Sequence, residues 1–396
     1  MCDVVPFGGA GRADALRGRK VALIRIGSFS HVNGHVLEML ETHFPECEVV
    51  DIDVGREVSA RTAANLLATA CEYGRGLLRG TAGDIGTLAR RNPRHCREVA
   101  DHVRRRARTE QFAFTLQTQS LWDAHTPGIP HFVYTDHTHL ANLRYPHFDR
   151  RQLRSARWIE LERSIYQHAE RVFVTSRFAE RSLIDDYGCA PERVECVYSG
   201  VNVDVRGVAE HSPANKTVLF VGTEWERKGG PQLVEAFRAV RREHPDAELA
   251  IVGCAPEVDV PGCRVVGPVP GNGVGGYYAS AAVFCLPSLV EPSAVALVEA
   301  AAHGLPVVAT DVGGTSDRVL HGDTGYLVPP GDVPSLARAL SDLLSDAALR
   351  RRLGEAGRRL AAERFTWPAV GAAMCGSIRR ALERHGAGRR LSPVPS

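Results

Sequence analysis

Apolar residues along this chain follow two alternating rhythms. Short unbroken runs read as buried strands: 20–26 (KVALIRI), 48–52, 112–116, 131–135, 171–175 and 193–198. Between them, apolar residues recur at helical spacing. One such segment reaches about residue 43. A longer one covers 57–108, with breaks near 80–86 and at Pro93. Residues 154–169 carry Trp158, Leu161, Ile165 and Tyr166 near one face, and 177–187 form a further helix. Residues 199–215 (SGVNVDVRGVAEHSPAN) lose all periodicity and read as a linker. The rhythm then resumes, with strands expected at 217–222, 248–252, 264–266, 283–286, 307–309 and 325–328. Residues 333–385 look helical almost throughout, broken near Thr366-Trp367-Pro368.

Strands that alternate with helices need crossover connections, so the sheets should be mostly parallel. The pattern predicts an α/β protein of two doubly wound, Rossmann-like domains with a cleft between them. The expected division is 1–198, the linker 199–215, and 216–366. A helix at 367–385 is expected to pack back toward the first domain, followed by a disordered polar tail at 386–396.

Composition narrows the class. A chain of 396 residues, 44% hydrophobic and 24% charged, is in the range of soluble globular proteins. A net charge of +2 gives no global attraction to nucleic acid. The ten cysteines have no paired short spacing, which favours reduced thiols of a cytosol over a disulfide framework or zinc site. No run approaches the roughly 20 apolar residues of a spanning helix, and the N-terminus lacks the apolar core of a signal peptide. A cytoplasmic location is therefore expected. Eight arginines between Arg90 and Arg108 read first as a solvated helix face. Peripheral attraction to acidic lipid at the inner face of a membrane is their second reading. The run Gly8-Gly9-Ala10-Gly11 precedes the first strand, so it is no dinucleotide fingerprint. The run from Gly271 to Gly276 reads as a mobile loop.

The stretch 283–310 (VFCLPSLVEPSAVALVEAAAHGLPVVAT) concentrates the chemistry. It reads as strand, loop, helix and strand, with Ser293 as N-cap and Gly304 at the left-handed position that ends the helix. Glu299 lies in an otherwise apolar helix. A buried, unpaired carboxylate costs several kcal/mol, so Glu299 must reach a partner or water. Glu291 comes eight residues earlier, at the helix mouth. Strand C-termini and helix N-termini are where open α/β sheets bind anionic ligands. A plainer reading makes Glu291 a charge that complements the helix dipole and Glu299 a solvated residue.

A second cluster follows the strand at 217–222. Arg227 and Lys228 sit just before Pro231, a residue suited to the first helical turn. Cations there oppose the helix dipole, and an anion bound between them would reverse the sign. The chain has only three lysines, Lys20, Lys216 and Lys228, among 48 Lys and Arg. A Lys where Arg is the default suggests a compact point charge of the kind that meets phosphate. A solvated loop charge is the alternative.

These residues resemble the signature of glycosyltransferase family 4, the retaining nucleotide-sugar transferases of GT-B fold. The family pattern is Pro-Ser, a short gap, Glu-Pro-Phe-Gly, four residues, Glu-Ala, then Gly-x-Pro-Val-Val-Ala. It stands here as Pro287-Ser288, Glu291-Pro292-Ser293-Ala294, Glu299-Ala300 and Gly304-Leu305-Pro306-Val307-Val308-Ala309. Ser293 replaces Phe and Ala294 replaces Gly. In the family that Gly lets amides approach the donor's phosphates, which Ala permits only with negative φ. Lys228-Gly229 matches the family's Lys-Gly, while Thr223 stands where an Arg is usual, so that role is vacant or passes to Arg227. Further matches run in order from about residue 170 to 367, among them Ile251-Val252-Gly253, Val266-Gly267 and Asp311-Val312-Gly313-Gly314.

The resemblance implies a glycosyltransferase whose C-terminal half holds a nucleoside diphosphate sugar as co-substrate, with no other cofactor. It implies that Glu299 meets the ribose hydroxyls and Glu291 the sugar hydroxyls. Arg227, Lys228 and the amides around Ser293, Ala294 and Val295 would meet the diphosphate. Gly222, Thr223, Gly253 and Val266 would line the same donor site. The N-terminal half would face an unidentified acceptor, with Asp136 or His137 facing the donor sugar, the alignment being ambiguous by one residue. Rival readings are an epimerase or phosphorylase of the same fold, or a binding protein that keeps the nucleotide site without turnover. No metal is expected. His131, Asp136, His137 and His139 could suggest a metal site, but no closed ligand set is visible. Asp51-Ile52-Asp53 has the Asp-x-Asp form of metal-holding transferases, yet near a strand end it reads as turn chemistry.

Overall fold

The structure is a computed structural model that describes residues 16–27, 29, 32–78, 85–146, 148–203, 212, 214–270 and 273–391. Its N-terminal half is a six-stranded parallel sheet: β1 (Lys20–Arg25), β2 (Glu48–Asp53), β3 (Phe114–Thr118), β4 (His131–Thr135), β5 (Arg171–Val174) and β6 (Val194–Cys196). The strand order is β2-β1-β3-β4-β5-β6. The second half repeats the plan with β7 (Thr217–Val221), β8 (Glu248–Val252), β9 (Cys263–Gly267), β10 (Val283–Leu286), β11 (Val307–Thr310) and β12 (Gly325–Val328). Its order is β12-β11-β10-β7-β8-β9.

Every pairing is parallel, and most links between strands are helical crossovers, the β3–β4 and β8–β9 links being loops. Central strands such as Val21–Ile24 and Val283–Leu286 are buried on both faces, which is why they read as unbroken apolar runs. The chain leaves β1 in one direction to β2 and returns on the other side to β3. It does the same at β7 and β10. The connections from β7 and β10 therefore leave toward opposite sides, and a crevice forms at the carboxyl ends of these strands.

The predicted elements are present, with shifted ends. The helical stretch at 57–108 divides into Val54–Glu57, Ala63–Leu78, Ile85–Arg90 and Pro93–Glu110. Asn92 caps the last of these, accepting from the amide of Arg94 at 2.8 Å, with Pro93 in the first turn. The glycine run at 271–276 is not simply a loop: a helix, Gly275–Ser280, starts inside it and buries Tyr278. Residues 271 and 272 lie outside the described residues. Of the linker, 199–203 are described and 204–211 and 213 are not. No helix among the described residues is long and apolar enough to cross a membrane.

The final helix, Trp367–Leu391, packs on the N-terminal half. Val370, Met374, Cys375 and Ile378 join the core formed by Val21, Leu23, Val36, Met39 and Phe114. Trp367 opens this helix by lying against Gly200, where a Cβ would stand 2.6 Å from its backbone nitrogen. Its indole stacks on His35 at 4.8 Å and donates to Asn202 Oδ1 at 3.2 Å. The helix continues to Leu391, so 386–391 are helical and not the disordered tail the polar sequence suggested. Residues 392–396 lie outside the described residues.

Candidate functional site

The loops after β7 and β10 meet where the second sheet changes direction. Gly229 has φ +73°, and a Cβ there would stand 1.9 Å from the carbonyl oxygen of Pro287. Only a glycine lets the two loops touch. That contact carries Lys228 to Glu291, whose Oε2 accepts from Lys228 Nζ at 2.5 Å. Ser288 Oγ donates to the same oxygen at 3.2 Å, and the amide of Ser293 donates to Oε1 at 3.4 Å. Glu291 is 3% exposed. Burial pushes its carboxyl up, but Lys228, Arg227 and the Ser288 hydroxyl outweigh burial and hold it below the usual carboxylate range.

Arg227 is differently placed from its neighbour. Its guanidinium donates to Glu224 and to the Val290 carbonyl at 2.7 Å, and stands 3.8 Å from Glu291. It braces the loop, while Lys228 faces the crevice. Two helices start at this place, Gly230–Glu243 and Val295–Ala302, and no side chain caps either first turn. The amides that open Val295–Ala302 and the positive dipole ends of both helices are thus available to an anion, whereas the Gly230 amide is taken by the Trp225 carbonyl and Pro231 has no N–H.

Ser293 does not cap the second helix as expected. Its hydroxyl pairs instead with the buried guanidinium of Arg318 at 2.5 Å, and the helix begins one residue later than expected, with Ala294 at the cap. Ala294 has φ −70°, a conformation that the replacement of Gly tolerates. Glu299 lies on the helix's half-buried side and accepts from Tyr278 OH at 3.0 Å, which supplies the partner that its apolar neighbourhood demands.

Gly222 and Gly253 end β7 and β8 back to back. Gly253 has φ +97°, and a Cβ on it would approach the Gly222 carbonyl to 2.8 Å. Val266 is partly buried at the end of β9, Val295 partly buried at the head of its helix, and Thr223 exposed beside Lys228's loop. The C-terminal residues expected around the donor therefore share one sheet edge, and Glu299 stands one helix turn and more from Glu291.

Across the cleft, Asp136 and His137 follow β4. Asp136 is pushed up to about 6, first by burial and then by the charge of Glu291. Burial pushes His137 down to about 4, so at neutral pH its ring is uncharged. Its Nε2 pairs with Asn142 Oδ1 at 3.2 Å. Both residues feel Glu291 and Arg227, which puts the two halves within electrostatic reach. Tyr145 also reaches over: Gly313 lies against its ring, and its buried hydroxyl has no partner among the described residues.

The residues of the metal readings have other partners. His139 Nε2 accepts from the amide of Arg154 at 2.8 Å, and His131 Nδ1 pairs with Thr115 at the opposite end of β4. Asp51 and Asp53 are both held by Arg25, at 2.7 Å and 3.0 Å, and Asp53 caps the turn at Gly55. Among the described residues Asp123, His125 and His168 do come close enough for a shared ion, but Asp123 already holds His168 at 2.8 Å with Arg104 at 3.7 Å. Three arginines of the arginine-rich stretch, Arg94, Arg104 and Arg106, have acidic partners. Arg94 pairs with Glu98, and Arg106 with Glu57 and Glu110.

Two family models match, "Glycosyltransferase Family 4" over residues 81–205 and "Glycosyl transferases group 1" over 215–346. A D-inositol 3-phosphate glycosyltransferase of Paenarthrobacter aurescens is 30% identical over 67% of this chain and 70% of its own length. The chain belongs to glycosyltransferase family 4. Other relatives of this family 4 protein are matched over less of their length. One is a D-inositol 3-phosphate glycosyltransferase of Kribbella flavida, at 29% identity over 56% of this chain and 59% of the relative. Another is a phosphatidyl-myo-inositol mannosyltransferase of Mycobacterium leprae, at 37% over 43% of this chain and 50% of the relative. The chain thus spans little more than half the length of such relatives. Among solved structures, a sucrose-phosphate synthase of Thermosynechococcus elongatus superposes with a TM-score of 0.66 at 20% identity, covering 93% of this chain and all of the other. The fold is GT-B.

Sequence reading missed several residues that build the site. Glu162 is 2% exposed and holds the loop after β4, accepting from the His139 amide at 3.0 Å, Tyr166 OH at 3.1 Å and Tyr187 OH. Arg318 ties the halves together, donating to Ser293 from one side and to the Thr175 carbonyl and Ser199 from the other. Glu162 sat in an amphipathic helix that looked polar at that position, and Arg318 was one arginine among many.

Proposed function

We propose that this protein is a glycosyltransferase that moves a sugar from a nucleoside diphosphate donor to an acceptor, with retention of configuration and without a divalent metal. The observation that carries the reading is the Lys228–Glu291 pair, 2.5 Å long, in front of two uncapped helix N-termini. Transfer breaks the bond between the anomeric carbon and the diphosphate. The acceptor oxygen bonds to that carbon, its proton is lost to the departing phosphate or to solvent, and negative charge grows on the diphosphate. Lys228, backed by Arg227, the amides that open Val295–Ala302 and the dipoles of both helices, meets that charge. Glu291, freed from Lys228 by a more highly charged partner, turns to sugar hydroxyls. Glu299 meets the ribose, and the neutral ring of His137 faces the sugar.

The relatives' names support glycosyl transfer, and their family supports retention. A structural neighbour, HepE of Anabaena, was solved with UDP-glucose, which supports a nucleotide sugar as donor. The capture of Asp51 and Asp53 by Arg25 supports a site that works without metal.

The test is calorimetric titration with UDP, GDP, ADP and TDP after exhaustive chelation, repeated with Lys228→Ala. One diphosphate should bind without metal, and the variant should bind it about ten- to hundred-fold more weakly, since a charge-assisted contact is worth roughly 1.5–3 kcal/mol. The matching nucleoside should be affected little. Binding that requires added magnesium, or equal losses for nucleoside and diphosphate, refutes the assignment.

A further inference from the structure

The histidine in the loop after β4 is held in a way that fixes where its proton lies. His137 Nε2 is 3.2 Å from Asn142 Oδ1. A ring nitrogen meets an amide oxygen only by donating, since that oxygen has no hydrogen to give. Which end of the Asn142 amide faces the ring is decided on its other side. Asn142 Nδ2 donates to the His139 carbonyl at 2.8 Å. Turning the amide over would set its oxygen against that carbonyl oxygen, with no hydrogen between them. Oδ1 therefore faces the ring, and Nε2 carries the proton. A second observation agrees. His137 Nδ1 is enclosed and has no hydrogen-bond partner among the described residues. A proton there would make a buried donor without an acceptor, which native structures rarely keep. Burial first, then Arg91 and Arg227, hold the ring neutral against the pull of Asn142 and Glu291. A neutral ring has one such proton, and it stays on Nε2.

Asn142 acts on the ring from a turn that is itself pinned. It lies in the short 3-10 helix Leu140–Arg144, whose cap residue His139 makes no capping bond with its own side chain. Glu162, on the helix Ala156–His168, caps it from a distance. Both of its carboxylate oxygens accept from the His139 amide, at 3.0 Å and 3.3 Å. Tyr187 OH donates to Glu162 and accepts from the Leu140 amide at 3.1 Å. The Thr135 hydroxyl donates to the His137 carbonyl at 3.0 Å. The His137 ring lies nearly parallel to Phe178, with 7° between the planes and 6.1 Å between the centroids. Backbone, ring face and one ring nitrogen are thus each fixed by a separate partner.

We infer that Asn142 is a positioning residue: by accepting from Nε2–H it sets the tautomer and the orientation of His137 at the cleft. The inference rests on the transferase reading above. Asn142 touches no substrate and moves no proton. Its effect follows from the charge that transfer develops. As the bond to the diphosphate breaks, positive charge grows on the anomeric carbon. A neutral ring fixed beside the sugar does not oppose that charge, whereas an imidazolium would. One nitrogen donates to Asn142 and the other is enclosed, so His137 works as a placed neutral ring and not as a general acid or base.

The experiment is nitrogen NMR on the full chain labelled in its histidine rings, with His137 assigned by the signal lost in His137→Gln. The protonated and bare nitrogens of a neutral imidazole resonate far apart, so the tautomer is read directly. At pH 7 His137 should carry its proton on Nε2, and it should take no second proton down to about pH 5. Asn142→Ala removes a half-buried side chain and should fold, and there the ring should exchange between both tautomers. In Asn142→Asp the carboxylate facing Nε2 should raise the ring's titration by about 1–3 pH units. An asparagine that only supports the turn gives neither change. Turnover is read as hydrolysis of UDP-glucose, ADP-glucose and GDP-mannose, supplied separately. Asn142→Ala should lower kcat about ten- to hundred-fold with donor KM nearly unchanged. Three outcomes overturn the inference: a proton on Nδ1 in the wild type, a tautomer that survives Asn142→Ala, or wild-type kcat in that variant. If the wild type shows the stated tautomer but hydrolyses none of these donors, the transferase reading fails and the placing of the proton stands.

Discussion

Asp136 sits at the end of β4 with its carboxyl pushed up to about 6, by burial first and by the nearby charge of Glu291 second. Its folded pKa is above the unfolded value, so the folded state favours the protonated form. That contribution to stability is complete below about pH 4 and is lost as pH rises through 6. Asp136→Asn removes the penalty of ionisation. The variant should match wild type near pH 4 and exceed it by about 1–3 kcal/mol at pH 8. Urea unfolding at the two pH values measures the difference, and a variant less stable than wild type at pH 8 contradicts the assigned environment. Glu291 behaves in the opposite sense, because its cationic neighbours outweigh its burial. Such differences between carboxylates were not legible in the sequence. Asp136 owes its shift to burial first and to Glu291, more than 150 residues away, second, and Glu299 owes its tether to Tyr278, which lies just beyond a stretch that looked like a loop.

The elements carrying the donor residues depend on loop contacts that only glycine permits. Gly229 combines φ +73° with a backbone oxygen 1.9 Å from any added Cβ. Gly229→Ala must therefore push the loop after β7 away from Pro287, carrying Lys228 off Glu291. It should cost more than about 2 kcal/mol and abolish nucleoside diphosphate binding. Gly276 is the contrast. It lies in the helix Gly275–Ser280 with nothing within 4 Å of an added Cβ, so Gly276→Ala should be neutral or stabilise by up to about 1 kcal/mol. Thermal unfolding and diphosphate titration of both variants check the pair together, and similar behaviour of the two contradicts the contact. The helix Val295–Ala302 teaches a related lesson. Its sequence offered Ser293 as a cap, but Arg318 takes that hydroxyl, so the first turn is left open toward the crevice.

At the scale of the whole molecule, the chain ends by stabilising the half that it began with. Met374, fully buried, packs with Val21, Leu23, Val36 and Phe114. Met374→Ala leaves a cavity there and should cost about 2–5 kcal/mol. Hydrogen exchange should quicken in β1 and in the helix Val32–His43 while β7 and β8 stay protected. Loss of protection confined to the C-terminal half contradicts the crossing. Arg318 works at the same scale, since it bonds residues of both halves and its guanidinium is enclosed between them.

By itself the sequence determined the number of strands, their parallel pairing and their division into two sheets. Apolar runs, helical periodicity and turn residues are local signals, and the burial of the central strands on both faces made their runs unmistakable. The family motifs also gathered Lys228, Glu291 and Glu299 on the correct sheet, because the motif is short and its residues hang from adjacent strands. Tertiary structure alone decided which charges meet. It pairs Lys228 with Glu291, ties Arg227 to Glu224 and Val290, captures Asp51 and Asp53 with Arg25, and buries Glu162 under two tyrosines. These contacts join loops and helices that the crossovers bring together from distant parts of the chain. A polar residue's partner depends on that assembly, whereas its tendency to lie in a strand or helix does not.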